Sequence, residues 1–316
     1  MEKGKHSLEV MIMAQEGKKG LSYVVAAFAA WGVLPVYWKL MAGVPAAEIL
    51  AHRVVWSLVF VAALLFLAAG RRAKLGAILR DGKKRLYFPA TAVLIGANWF
   101  LYIHAVNSGH IVESSLGYYI TPLLNVLLGL VFLRERLRPA QILALALAAA
   151  GVIIRTIQYG SVPWISLGLA LTFSLYGLLK KAADLDGISG LFLETAVLAP
   201  LALGFIIFWQ ARGEGSFAAA GVPTSLLLAG AGVVTATPLL WFAEGARRVT
   251  LTTVGFAQYL SPTLSLALGV LLYREPFSGW HAVSFGFIWC ALAVYSLSQA
   301  RQFGAPARAA RNCCEP

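Results

Sequence analysis

The chain has 316 residues, 59% of them hydrophobic and only 13% charged, with a mean hydropathy of +0.74; no water-soluble domain carries that balance. Its net charge of +12 would suit nucleic acid on a soluble protein, but on a chain this apolar it marks loops beside anionic lipid, so the expected partners are the bilayer and a small-molecule substrate, not nucleic acid. Cys290, Cys313 and Cys314 have no CxxC or Cys/His spacing for a metal, no GxxxxGK[ST] string offers a nucleotide site, and no cofactor is expected.

Residues 1–20 mix Lys3, Lys5, Lys18 and Lys19 with Glu2, Glu9 and Glu16. They lack the apolar core of a signal peptide, so the first apolar run is expected to stay on the chain. Crossing the hydrocarbon takes about 20 residues, and runs of that length predict ten spans, at 21–40, 46–70, 86–108, 110–133, 139–157, 162–180, 188–210, 223–246, 250–273 and 278–300. The tail 301–316 is expected to be disordered. Its end "CCEP" is no prenylation box, because Glu315 is not aliphatic.

Lysine and arginine set the orientation. With the N-terminus inside, 21 of the 26 fall on cytoplasmic segments, including "RRAKLGAILRDGKKR", Arg134, Arg136, Arg138, Lys180, Lys181, Arg247 and Arg248. Both termini are therefore expected in the cytoplasm.

"YITPLLNVLLGLVFLRE" at 119–135 returns as "YLSPTLSLALGVLLYRE" at 259–275. Leu matches between apolar helices are cheap, but Tyr119/Tyr259, Pro122/Pro262, Gly129/Gly269, Arg134/Arg274 and Glu135/Glu275 fall together at one offset. The copies lie five spans apart, and an odd separation inverts the second. The fold class expected is an all-α polytopic membrane protein, ten transmembrane helices forming two inverted five-helix repeats over 21–158 and 159–300, a mark of many secondary transporters. Pro122 and Pro262 cannot donate to the preceding turn and should kink their helices. Gly129 and Gly269 admit close backbone packing.

Ionisable groups within spans are costly and usually face a cavity or a partner. Arg53 lies roughly 10 Å into the second span, a candidate for substrate binding or gating, or else held by Glu48 or Glu113. Glu48 and His52 share a face at i, i+4. Glu113 has Thr253 in its place in the second copy. Glu194 enters its span by about 9 Å, and with Glu113 it is a candidate for a coupling proton. Lys39 and Lys180 end helices, where the dipole accounts for a cation. Among the aromatic residues Trp31, Trp99, Tyr102, Tyr118, Tyr119, Tyr176 and Tyr259, those beside the two prolines are favoured as lining, with Asn125 alongside.

The strings "WGVLPVYWKL" (31–40), "EILAHRVVWS" (48–57), "NWFLYIHAVNSGHIVESSLGYYITPLLNVLLG" (98–129), "YGLLKK" (176–181), "LFLET" (191–195) and "FAQYLSPT" (256–263) resemble the drug/metabolite transporters of the EamA type, and within them the RarD group, over nearly all of 19–300. The resemblance implies two EamA domains, carriage of small metabolites or drugs across the bacterial plasma (inner) membrane, a cavity among spans 1–4 and 6–9, and peripheral spans 5 and 10 through which a homodimer could form. It also makes Met13 a candidate start. A membrane-embedded enzyme would need clustered carboxylates or a nucleophile beside a base, and His6, His52, His104, His110 and His281 make no such cluster. A structural membrane protein is the other alternative.

Overall fold

The computed structural model describes residues 2–312 except 42, 68–70, 83, 108–110, 160–163, 184–185 and 273–278. Among the described residues every regular element is a helix: α1 Glu2–Lys39, α2 Ala46–Leu67, α3 Arg71–Arg80, α4 Lys84–Asn107, α5 Ile111–Phe132, α6 Pro139–Tyr159, α7 Trp164–Ala183, α8 Gly187–Ala211, α9 Val222–Ala246, α10 Leu251–Gln258, α11 Leu260–Leu271 and α12 Gly279–Asn312. Among the described residues five stretches are long and apolar enough to cross a membrane: Gln15–Lys39, Ala46–Leu67, Pro139–Gln158, Gly187–Ala211 and Val222–Ala246. Large apolar side chains such as Leu67, Leu201, Leu226 and Leu271 point outward, as a surface bathed in lipid requires.

Local chemistry sets the helix ends. Asp186 accepts from the amides of Ile188 and Ser189 at the start of α8, and Thr250 caps α10 by accepting from Thr253 N–H. Pro139 opens α6, where its missing donor costs nothing. At the end of α5, Arg134 takes a left-handed conformation (φ 53°), turning the Glu135 amide back to the Gly129 carbonyl at 3.0 Å. The tail expected to be disordered from residue 301 is instead helical over 301–312, as the end of α12, and α1 runs unbroken through residues 2–20.

The two prolines act differently. Pro262 cannot donate to the Gln258 carbonyl, and the helix breaks next to that residue, at Tyr259, between α10 and α11. Pro122 lies inside a continuous α5. Beside it α7 is tied to α5, Ser174 Oγ donating to the Thr121 carbonyl at 3.3 Å.

The core is an aromatic cluster where α1, α7 and α9 meet: Phe28, Trp31, Phe173, Tyr176 and Phe242, with ring centroids 5.3–6.2 Å apart. A second apolar cluster joins α6 to α12 through Ala144, Ala148, Phe285, Ile288 and Ala291. α2 and α9 approach each other closely. A Cβ on Gly232 would sit 2.3 Å from the Trp56 carbonyl carbon, and Ser57 Oγ donates to the Gly232 carbonyl at 3.0 Å.

Candidate functional site

Arg53, on α2, is the centre of the site. Its Nε donates to Thr235 Oγ1 on α9 at 3.0 Å. The guanidinium carbon stands 4.8 Å from the ring centre of Trp38, at the end of α1, and 5.2 Å from that of Trp99, on α4. Tyr102 and Tyr118 are within electrostatic range of it, and their own rings lie 6.4 Å apart. Among the described residues no carboxylate pairs with Arg53. A cation held between two indoles gains up to about 2 kcal/mol from their π faces when desolvated, but they leave its charge uncompensated. Tyr118 is 47% exposed and Tyr102 36%, so this cluster is open on one side. α5 packs chiefly on α7 and α10, and α2 on α8 and α9.

Glu48 does not hold Arg53. Its Oε1 accepts from the amides of Ser216 (2.6 Å) and Phe217 (3.2 Å), pinning the loop between α8 and α9. His52 Nε2 lies 3.9 Å from that oxygen, its Nδ1 faces the Trp56 indole N–H at 3.3 Å, and its ring stacks on Phe217 at 5.0 Å. These two residues form a loop anchor beside the Arg53 cluster. The backbone of Glu113 lies in α5, but its side chain is outside the described residues.

Tyr119, Pro122, Asn125 and Tyr259 come together elsewhere, where α5 crosses the α10–α11 break. Tyr259 O–H donates to the Tyr119 carbonyl at 3.3 Å, and the Asn125 amide donates to Gln258 Oε1 at 2.8 Å. A Cβ on Gly255 would stand 2.7 Å from the Pro122 carbonyl oxygen, a close approach that nothing in the sequence singled out. Gly269 lies in α11.

Glu194, 1% exposed, sits in a third place with every oxygen engaged. Oε1 meets Lys180 Nζ at 2.6 Å and Thr91 O–H at 2.6 Å, while Oε2 accepts from Tyr176 O–H at 3.2 Å. Lys180 is itself buried and lies 5.3 Å over the Tyr176 ring, so it is half of an interior ion pair and more than a helix-end cation.

At the same end, Glu135 reaches across to the start of α10. It accepts from Leu251 N–H (2.6 Å), Thr252 N–H (3.0 Å) and Thr252 O–H (2.7 Å), filling the anion site of a helix N-terminus. Gly129 leaves its room, since a Cβ there would be 2.8 Å from Glu135 Oε2. Lys181 Nζ donates to the carbonyls of Ala246 and Val249 at the end of α9. Glu244 takes the Gly187 amide (3.0 Å) and Arg248 (2.6 Å), and Arg248 also reaches Glu16 at 2.9 Å. The hydrogen bond to Glu244 holds the Arg248 guanidinium above its ordinary pKa; burial opposes this and Glu16 adds to it.

Arg274 and Glu275, the second copy of the Arg-Glu pair, lie outside the described residues. The repeat could have pointed to Glu135. Trp38, Thr235, Thr91 and Lys180 had no comparable signal, because each gains its role from a partner on another helix.

Comparison with known proteins gives one consistent picture. Residues 18–157 match the EamA-like transporter family. The chain is 48% identical to the uncharacterized transporter YojE of Bacillus subtilis, over 90% of this chain and 96% of that protein. It is 40% identical to the protein RarD of Escherichia coli, over 89% and 95% respectively, and 32% identical to the chloramphenicol-sensitive protein RarD of Pseudomonas aeruginosa, over 92% and 97%. A crystal structure 23% identical in sequence shares the fold with a TM-score of 0.65, over 88% of this chain and 97% of its own.

Proposed function

Since the chain belongs to the EamA-like transporter family, in its RarD group, and is a multi-pass membrane transporter, we propose that it works as a secondary transporter of small molecules in the bacterial inner membrane, by alternating access between two inverted five-helix halves. In this reading α3 is a cytoplasmic helix, α10 and α11 together make one span, both termini are cytoplasmic, and Arg53 lines the substrate path.

The observation that carries it is the pattern of helix packing. Advancing each span by five turns α1 into α7, α2 into α8, α4 into α9 and α5 into α10–α11. The packing of α5 on α7 then becomes α10 and α11 on α1, that of α2 on α9 becomes α8 on α4, and that of α1 on α9 becomes α7 on α4. Pairs such as α2 with α8, α5 with α10 and α6 with α12 map onto themselves. A scaffold protein has no need of a structure that exchanges with itself in this way, whereas a carrier with two access states does. The peripheral pairing of α6 with α12 leaves their outer faces for a second copy.

Two measurements test the reading. Single cysteines at Glu135 and Glu275, in a background without Cys290, Cys313 and Cys314, are expected to react with an impermeant maleimide from opposite sides of the membrane; reaction from one side refutes the inversion. In liposomes, Pro122→Ala and Pro262→Ala are expected to lower uptake of a transported solute at least several-fold while expression changes little. The larger effect is expected at Pro262, where the break in the helix lies. Losses of expression equal to losses of uptake would reduce both prolines to folding elements.

A further inference from the structure

We infer that the Arg53 cluster is a binding site for organic monoanions, specifically a carboxylate attached to a flat or apolar body. This deepens the reading of Arg53 as part of the substrate path and rests on it.

The argument starts from charge. Arg53 is a permanent cation within a span, and among the described residues it faces only neutral groups: two indoles, two phenols and the Thr235 hydroxyl. Structural arginines in such surroundings are normally matched by a carboxylate. Glu48, the described carboxylate closest in the chain, turns its Oε1 to the 216–217 amides instead. Among the described residues this positive charge has no counter-ion, and it therefore selects a negative ligand.

Geometry narrows the class. Thr235 takes the Nε–H, so the end-on pair of terminal nitrogens is left, and two parallel N–H groups match the two oxygens of one carboxylate. A single cation balances a single charge. A phosphate dianion would be left under-compensated, since no helix N-terminus or second basic group among the described contacts of the cluster assists Arg53. The body of the ligand is specified by Trp38, Trp99, Tyr102 and Tyr118, which offer flat faces for an aromatic or apolar group. The exposure of Tyr102 and Tyr118 gives that body a way in.

The test uses purified full-length protein in detergent with radiolabelled phenylacetate and 3-phenylpropionate and their amides, which keep the body and remove the charge. Wild type is expected to bind each acid at least ten-fold more tightly than its amide. Arg53→Gln is expected to erase that preference, and Arg53→Lys to keep part of it. Trp38→Leu retains the cation and is expected to weaken acid binding several-fold, which keeps a check available should Arg53→Gln fail to stay monodisperse. Equal affinity of wild type for acid and amide overturns the inference, as does displacement of phenylacetate by equimolar inorganic phosphate. The two readings fail separately. Acid-selective binding without uptake into liposomes refutes transport and leaves the site standing, whereas uptake of the acids at wild-type rate by Arg53→Gln refutes the site and leaves transport standing.

Discussion

Replacing Glu194 by Leu is expected to cost about 3–5 kcal/mol of stability, the scale on which removing one partner of a buried ion pair is felt. The residue joins three helices: its oxygens are shared by Lys180 and Tyr176 of α7 and Thr91 of α4, and none of the four is at the surface. The two halves of the pair should not be equivalent. Without Lys180 the carboxylate keeps two hydroxyl donors; without Glu194 the ammonium keeps, among the described residues, the face of Tyr176. Glu194→Leu should therefore be the more damaging change and Lys180→Met the milder. The double variant Lys180→Met/Glu194→Leu should recover most of the loss, because an apolar pair of similar volume replaces a desolvated one. The readout is the temperature at which half of the detergent-solubilised protein leaves the monodisperse peak. Wild-type survival of Glu194→Leu would show the pair to be incidental.

The second large effect is expected at Gly232. Even Ala there must move the backbone of Trp56 and Ser57, 2.3 and 2.5 Å from the new carbon, and backbone cannot rotate away as a side-chain tip can. Overpacking of this kind costs about 1–3 kcal/mol, and here it also acts at a distance. Thr235 lies one helical turn from Gly232, and Arg53 one turn from Ser57, so prising α9 from α2 opens the Arg53–Thr235 hydrogen bond as well. Gly232→Ala should lower yield and heat survival together with acid binding. Gly204→Ala, in α8 with open space around it, serves as the control: it should be neutral or stabilising by up to about 1 kcal/mol, as Ala is the better helix former. Equal behaviour of the two variants would contradict the close packing of α2 on α9.

The spans were easy to read because the bilayer imposes a length on them. Predicted limits of 223–246 and 188–210 meet helices at Val222–Ala246 and Gly187–Ala211, each within a residue or so. What lay between spans was harder. The basic segment 71–80 forms α3, although its charge suited a loop equally well. The break at Tyr259 could not be told from a continuous kinked helix, since Pro122 and Pro262 occupy matching positions with different outcomes. In the site, Arg53 stood out because charge inside hydrocarbon is costly, whereas its flanking Trp38 and its partner Thr235 did not. On a helix that is apolar all round, the face turned to lipid and the face turned to a neighbour have the same composition. Which residues meet is then fixed by packing, which a single chain read in order does not display. Lys180 and Glu194 show the same limit: only 14 residues apart, they looked like a helix-end cation and a separate carboxylate within a span until α7 and α8 were set side by side.

The turn from α9 to α10 has a consequence for how that end of the molecule can change. A carboxylate, Glu135, grips the amides that begin α10, and an ammonium, Lys181, grips the carbonyls that end α9, so a few residues of chain are held by opposite charges at their two sides. Moving that turn away from α5 and α7 breaks hydrogen bonds to two charged groups of opposite sign, each worth about 1.5–3 kcal/mol. The connection is thus clamped from both sides, and its hold depends on the charges of Glu135 and Lys181 together.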